Sequence, residues 1–214
     1  MQIDTEFEQR DKIVLALGIL LVLFLCFLYY VKNRTPEILN YPNNNSEIIA
    51  FGDSLVSGVG SESNRGFVRE LEVFTNTNII NMGISGDTTR DALARIDDVL
   101  KRNPKMVLIS LGGNDSIQHV PAKAARKNLD KIVSQIQNTG SMVIILGVPA
   151  APGVSGYKNL YKEVAEDHRA AYVPNILAGL IGRDEFMADL IHPNDLGYIK
   201  VAEKIAPIMK LYLE

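Results

Sequence analysis

Four short stretches of this chain carry the residue types that acyl transfer through a serine requires. They read Gly52-Asp53-Ser54-Leu55, Gly83-Ile84-Ser85-Gly86-Asp87-Thr88, Gly112-Gly113-Asn114-Asp115 and Asp189-Leu190-Ile191-His192-Pro193. Ser54 supplies a hydroxyl that an adjacent base can turn into a nucleophile. His192 is the candidate base. Asp189 stands three residues before it, a spacing that lets the carboxylate reach one imidazole nitrogen while the other faces outward. The carboxylate then fixes the tautomer and favours the imidazolium as it forms. The backbone N–H groups of Ser54 and Gly86 and the side-chain amide of Asn114 are neutral donors. They can be aimed at a developing oxyanion without adding a competing charge.

Each of these residues also has an ordinary structural explanation. Gly-Asp-Ser is a common turn or helix cap. Gly86-Asp87-Thr88 suits a helix entry, Asn114 suits a loop, and His192 precedes a helix-starting Pro-Asn. The conjunction points to chemistry, because the groups fall at strand ends in one order along one sheet. The surroundings of Ser54 are not the Gly-x-Ser-x-Gly elbow, since Val56 holds the last position. Of the other histidines, His168 lies in a charged helical stretch from Glu163 to Arg169. His119 has no acid three residues upstream.

The elements that must position these groups are legible in the apolar pattern. Ile48–Phe51, Asn78–Met82, Met106–Leu111, Met142–Val148 and, more weakly, Ala171–Val173 are short runs without alternation. Such runs fit strands buried on both faces, as in a parallel sheet. Between them lie helical repeats. Phe67, Leu71 and Phe74 form one; Leu93, Ile96 and Leu100 form another behind a cap at Asp87 or Thr88. Leu129, Ile132 and Ile136 form a third, with Pro121 near its start and Gly140 past its end. A last helix begins at Asn194 and carries Leu196, Ile199, Ala202, Ile205 and Met209, with Pro207 expected to kink or end it. Strand–helix alternation with right-handed crossovers gives a three-layer α/β sandwich. In such sheets functional groups gather beyond the carboxyl ends of the strands, where the first three motifs fall.

The four motifs, read as Phe51-Gly52-Asp53-Ser54-Leu55, Asn81-Met82-Gly83-Ile84-Ser85-Gly86-Asp87-Thr88, Leu111-Gly112-Gly113-Asn114-Asp115 and Asp189-Leu190-Ile191-His192-Pro193-Asn194, resemble those of the GDSL, or SGNH, hydrolase family. The similarity runs from about residue 47 to 213 and is strongest to the bacterial thioesterase I/lysophospholipase/arylesterase branch. The resemblance implies a flavodoxin-like fold with a five-stranded parallel sheet in the order 2-1-3-4-5. It implies Ser54 as nucleophile, His192 as base with Asp189 as its partner, and an oxyanion hole made by Ser54, Gly86 and Asn114. The family glycine maps to Gly86 rather than Gly83. The resemblance further implies no metal and no organic cofactor, and substrates among short to medium acyl esters, aryl esters, thioesters or lysophospholipids. The loop from Val148 to Tyr157 is expected to border the acyl pocket.

Rival readings are a carbohydrate O-acetylesterase of the same family, a metallophosphoesterase and a catalytically silent, membrane-tethered binding module. Dinuclear metal sites want several histidines and carboxylates, and this chain has three histidines in all. A flavodoxin-type nucleotide binder fits less well, since no phosphate-cradling loop follows the first strand of this chain.

The chain has 214 residues, a net charge of −3 and a single cysteine, Cys26. Neither the charge balance nor any basic run points to a nucleic-acid partner. One cysteine excludes an internal disulfide and a multi-cysteine zinc site. The expected organisation is an acid-rich tail over 1–12, a transmembrane anchor over 13–31, a polar linker over 32–46 and one catalytic domain over 47–214. Ile13–Val31 is 19 residues without a charge, which as a helix spans about 28 Å. Tyr29 and Tyr30 sit at its end, where amphipathic rings favour an interface. The run is longer than a usual signal-peptide core, and Tyr-Tyr-Val-Lys-Asn offers no small-residue cleavage site. Leu25 is too large for the position before a lipoprotein cysteine. Arg10 and Lys12 on one side balance Lys32 and Arg34 on the other, so the positive-inside count is a tie. The expected location is a single-pass membrane protein with its catalytic domain on the extracytoplasmic, periplasmic side.

Overall fold

The structure is a computed structural model that describes residues 14–26, 37–62 and 64–213. The chain divides into two units, Met1–Glu37 and Ile38–Glu214. In the first, residues 14–26 form a helix, α1, whose large apolar side chains are exposed. Among the described residues no helix is long and apolar enough to cross a membrane. The remainder of the expected span, Ile13 and residues 27–31, lies outside the described residues.

The second unit is built on five strands: β1 (Ile48–Gly52), β2 (Ile80–Gly83), β3 (Met106–Ser110), β4 (Met142–Leu146) and β5 (Ala171–Val173). They pair in parallel in the order β2-β1-β3-β4-β5. Every residue of β1, β3 and β4 is buried, which is why these strands read as unbroken apolar runs. β2 and β5 are the edges. β2 is half-exposed throughout, and β5 is three residues long. Gly52 pairs with Gly83 on one side and Ser110 on the other. The chain thus turns back on itself at β1, and a crevice opens beyond the carboxyl ends of β1, β2 and β3.

Helices cover both faces. On one lie α2 (Ser54–Ser57), α3 (Gly66–Thr75) and α9 (Asp195–Lys210). On the other lie α4 (Thr89–Ala94), α5 (Asp97–Leu100), α7 (Ala122–Asn138) and α8 (Leu160–Asp167), while the short α6 (Gly113–Ile117) follows β3 directly. Phe67 and Leu71 from α3, Leu129, Ile132 and Ile136 from α7, and Val201, Ala202, Ile205 and Met209 from α9 fill the two interfaces. Thr88 caps α4 through a capping box with Asp91, and Asn194 caps α9 by accepting the Gly197 N–H.

Three expectations change in detail. The Leu93-Ile96-Leu100 repeat is not one helix; it breaks between Ala94 and Asp97 into α4 and α5, and Arg95 at the break turns its side chain inward. α9 passes through Pro207 and ends at Lys210. Pro207 lies on the exposed side, while Ile205, Ala206 and Met209 are buried, so packing holds the last turn despite the missing N–H. The polar linker is docked over residues 38–46. Asn40 Nδ2 donates to the carbonyls of Gln137 and Ser141, at 2.7 and 3.0 Å, and Asn43 Nδ2 donates to that of Lys105 at 2.9 Å. Asn45 Nδ2 reaches the Pro104 carbonyl, and Tyr41 meets Tyr212 edge to face. The asparagines that read as a tether bind carbonyls of the segments just ahead of β3 and β4.

Candidate active site

Ser54 opens α2 immediately after β1. Asp53 caps this turn, its Oδ1 accepting the Leu55 N–H at 3.0 Å. Ser54 is buried but for 8% of its surface. His192 arrives from the far end of the sequence on the loop before α9. That loop is closed by an antiparallel bridge between Met187 and Pro193, and by the N–H of Ala188 on the carbonyl of His192 at 2.9 Å. It approaches so closely that a Cβ on Gly60 would lie 2.5 Å from the Pro193 carbonyl oxygen and 3.3 Å from His192 Cβ. The Tyr198 hydroxyl, on α9, donates to the Val59 carbonyl at 2.7 Å and ties the two segments together.

The resulting chain of contacts is continuous. Ser54 Oγ lies 2.9 Å from His192 Nε2, and His192 Nδ1 lies 2.7 Å from Asp189 Oδ2. Asp189 Oδ1 also accepts the N–H groups of Ile191 and His192, each at 2.8 Å. Partial burial pushes the Asp189 carboxyl up, but the hydrogen bonds from the His192 ring and these two N–H groups outweigh it and hold it below the usual range. An ionised carboxylate only accepts, so Nδ1 carries the ring proton and the Nε2 lone pair is turned to the Ser54 hydroxyl.

The candidate oxyanion donors other than Ser54 lie on two segments, the turn after β2 and the start of α6. Ile84 to Asp87 is a tight turn closed by the Asp87 N–H on the Ile84 carbonyl, with Gly86 at φ +88°. A Cβ on Gly86 would meet nothing within 4 Å, so the backbone conformation, not space, asks for glycine there. Asn114 lies in the first turn of α6. One of its amide hydrogens goes to the Asp87 carbonyl at 2.9 Å, which pins the side chain and leaves the second available. The N–H groups of Ser54 and Gly86 donate to no protein acceptor among the described residues.

The carboxyls next in sequence to Ser54, Gly86 and Asn114, those of Asp53, Asp87 and Asp115, are all buried. Asp115 accepts the N–H and hydroxyl of Thr89 at 2.8 and 2.6 Å. Asp87 pairs with Arg95 at 2.7 Å. Burial pushes the Asp53 carboxyl up to about 7. The Leu55 N–H resists that shift, and the Asp87 and Asp115 charges add to it. Nothing in the sequence marks Arg95, since an arginine in a polar helical stretch reads as surface.

A cavity of about 130 Å³ lies among Val148, Pro149, Tyr157, Tyr161 and Tyr172, with Lys158 and Asn175 also on its wall. It includes the start of the Val148–Tyr157 loop. Val148 adjoins Gly113, the neighbour of Asn114. The other histidines are elsewhere. His168 Nε2 faces Asp130 Oδ1 at 3.2 Å between α7 and α8, and His119 is exposed on the turn after α6. Among the described residues, no three His, Cys, Asp or Glu side chains are grouped to hold a metal ion.

Comparison with known proteins finds relatives of this chain among esterases and thioesterases. Residues 50–199 match the GDSL-like Lipase/Acylhydrolase family. The chain is 30% identical to an arylesterase of Vibrio mimicus over 172 residues, covering 75% of this chain and 86% of that protein. It is 26% identical to thioesterase 1/protease 1/lysophospholipase L1 of Escherichia coli strain K12, covering 69% of this chain and 75% of that protein. The crystal structure of TesA superposes with a TM-score of 0.73 at 28% identity, covering 78% of this chain and all of that one.

Proposed function

We propose, from the premise that this chain belongs to the GDSL-like lipase/acylhydrolase family, that Ser54, His192 and Asp189 are its catalytic triad and that Ser54, Gly86 and Asn114 form its oxyanion hole. The chain is a serine esterase acting on acyl esters and thioesters. The observation that carries the residue assignment is the unbroken line from Ser54 Oγ through the His192 ring to Asp189, with contacts of 2.9 and 2.7 Å.

Each step follows from that line. His192 Nε2 takes the Ser54 proton as Oγ bonds to the substrate carbonyl carbon. The carbonyl π-pair moves onto oxygen, and the resulting anion is received by the Ser54 and Gly86 N–H groups and the free Asn114 N–H. The imidazolium, held by Asp189, gives its proton to the departing alkoxide or thiolate as the tetrahedral carbon collapses to an acyl-serine. Water then enters and loses its proton to Nε2. The second tetrahedral species releases the acid, and Ser54 Oγ regains its proton from the ring.

In this reading the cavity bounded by Val148, which adjoins Gly113, takes the acyl group. Its 130 Å³ lies below the roughly 300–1,000 Å³ of pockets that enclose larger ligands, which favours short acyl or compact aryl groups. The N-terminal segment is an uncleaved anchor over residues 13–31, supported by its 19 uncharged residues and by the exposed apolar surface of α1. The catalytic domain lies on the extracytoplasmic side, a placement that a topology reporter fused after Glu214 checks.

The deciding experiment is stoichiometric labelling with an ethyl phosphonate. It should inactivate the enzyme and mark Ser54, while Ser54→Ala should lose about 10³-fold or more in kcat and take up no label. A folded Ser54→Ala variant that keeps more than a tenth of the activity overturns the assignment.

A further inference from the structure

We propose that Arg95 is a positioning residue that sets the spacing of the three oxyanion donors by gripping the three backbone segments on which they depend. The proposal rests on the oxyanion hole read above.

Arg95 sits at the carboxyl end of α4 with only 17% of its side chain exposed. Its guanidinium lies 4.4 Å above the centre of the Phe51 ring, in β1. Three of its nitrogens are directed at three different places. Nε donates to Asp87 Oδ2 at 2.7 Å, Nη1 to the Met82 carbonyl at 3.0 Å and Nη2 to the Gly52 carbonyl at 3.0 Å.

Each contact leads to one donor. Gly52 ends β1, two residues before Ser54. Its carbonyl also receives the Ile84 N–H at 3.0 Å, so the turn carrying Gly86 hangs from the same atom. Met82 lies in β2, just ahead of that turn. Asp87 follows Gly86, and its own carbonyl holds the Asn114 amide at 2.9 Å. One rigid plane therefore touches the end of β1, the end of β2 and the residue that orients Asn114.

Neutralising Asp87 would need one of these bonds; the two to strand-end carbonyls exceed that purpose. A guanidinium fixes the angles between its N–H groups, whereas an ammonium is a point charge that fixes none. Oxyanion donors act within a window of about 2.7–3.1 Å, so a shift of a few tenths of an ångström between segments takes a donor out of range.

The test compares Arg95→Gln, Arg95→Lys and Asp87→Asn with wild type and with Asn114→Ala in the full-length chain. It reads kcat and KM on a nitrophenyl ester, Tm, and inhibition by a boronic acid that forms a tetrahedral adduct with Ser54. Arg95→Gln should lower kcat by about 10- to 100-fold with KM within about twofold, and should weaken the boronic acid by a similar factor. Arg95→Lys should fall between it and wild type. Combined with Asn114→Ala, Arg95→Gln should lose less than the product of the single losses, because both act through one donor set. A folded Arg95→Gln with wild-type kcat overturns the proposal. So does a kcat loss that leaves boronic acid binding untouched, or full multiplicativity in the double variant. Should Arg95→Gln not fold, Asp87→Asn gives the same reading, since it keeps the Asp87 carbonyl and removes the charge that holds Arg95 Nε to its side chain. If Asn114→Ala itself retains wild-type kcat, the oxyanion hole is wrong and the clamp falls with it. If Asn114→Ala is impaired and the Arg95 and Asp87 variants are not, the clamp alone fails.

Discussion

Asp189 grips His192 with both carboxylate oxygens. Oδ2 takes the ring Nδ1–H at 2.7 Å, while Oδ1 takes the backbone N–H of the same residue at 2.8 Å. The acid thus fixes the ring and the loop that delivers it. Asp189→Asn keeps an oxygen for the backbone but can turn an N–H toward Nδ1, forcing the proton to Nε2, where it faces Ser54. kcat should fall by about 10⁴-fold while Tm changes little. An asparagine variant within tenfold of wild type would show that the tautomer is set by something else.

Asn114→Ala should lower kcat by about 10²–10³-fold and leave KM nearly unchanged. The amide is held ready by the Asp87 carbonyl before substrate arrives, and its free N–H meets a full charge only in the transition state. A change confined to KM would make Asn114 a contact to the ground-state ester.

Asp53→Asn should alter the pH dependence of stability. The native Asp53 carboxyl stands near 7 because it is buried, against 3.8 as the reference. Between those values the native state holds a proton that the unfolded chain has released, so this group makes stability fall as pH rises from about 4 to 7. Above 7 the penalty is complete and constant. Asparagine keeps the cap to Leu55 and has no proton to lose. Relative to wild type, Asp53→Asn should therefore gain stability at pH 8 compared with pH 5, measured by urea unfolding at both. An equal offset at the two values would mean that Asp53 is ionised throughout.

The full-length protein should stay with membranes through an alkaline carbonate wash, and its mature N-terminus should precede residue 13. The uncharged run over 13–31 supplies the only long apolar segment of the chain. Recovery of a native chain that starts after Val31 would make it an exported enzyme without an anchor.

The sequence was most legible where one requirement dominates. β1, β3 and β4 are buried on both faces, and they show it as unbroken apolar runs whose limits fall within two residues of the observed ones. Ser54, Gly86, Asn114, Asp189 and His192 stand out because a turn or a loop seldom needs all of them together. Arg95 was invisible for the opposite reason. Its role depends on carbonyls at Gly52 and Met82, 43 and 13 residues away, and backbone carbonyls leave no trace in side-chain types. The same holds for Asn40, Asn43 and Asn45. Their polar run has the composition of a free linker, and only the carbonyls of Pro104, Lys105, Gln137 and Ser141, brought within reach by the fold, make it a docked one.

That docked segment lies at the opposite end of the sheet from the catalytic loops. Its contacts lie where β3 and β4 begin, whereas Ser54 lies where β1 ends, so the five-residue strands, about 17 Å long, separate the two. A pull transmitted through residue 38 is borne first by the asparagine clasps at the rear of the sheet and reaches the catalytic loops last. The clasps and the crevice are thus mechanically separate, and Asn43→Ala should lower Tm without changing turnover.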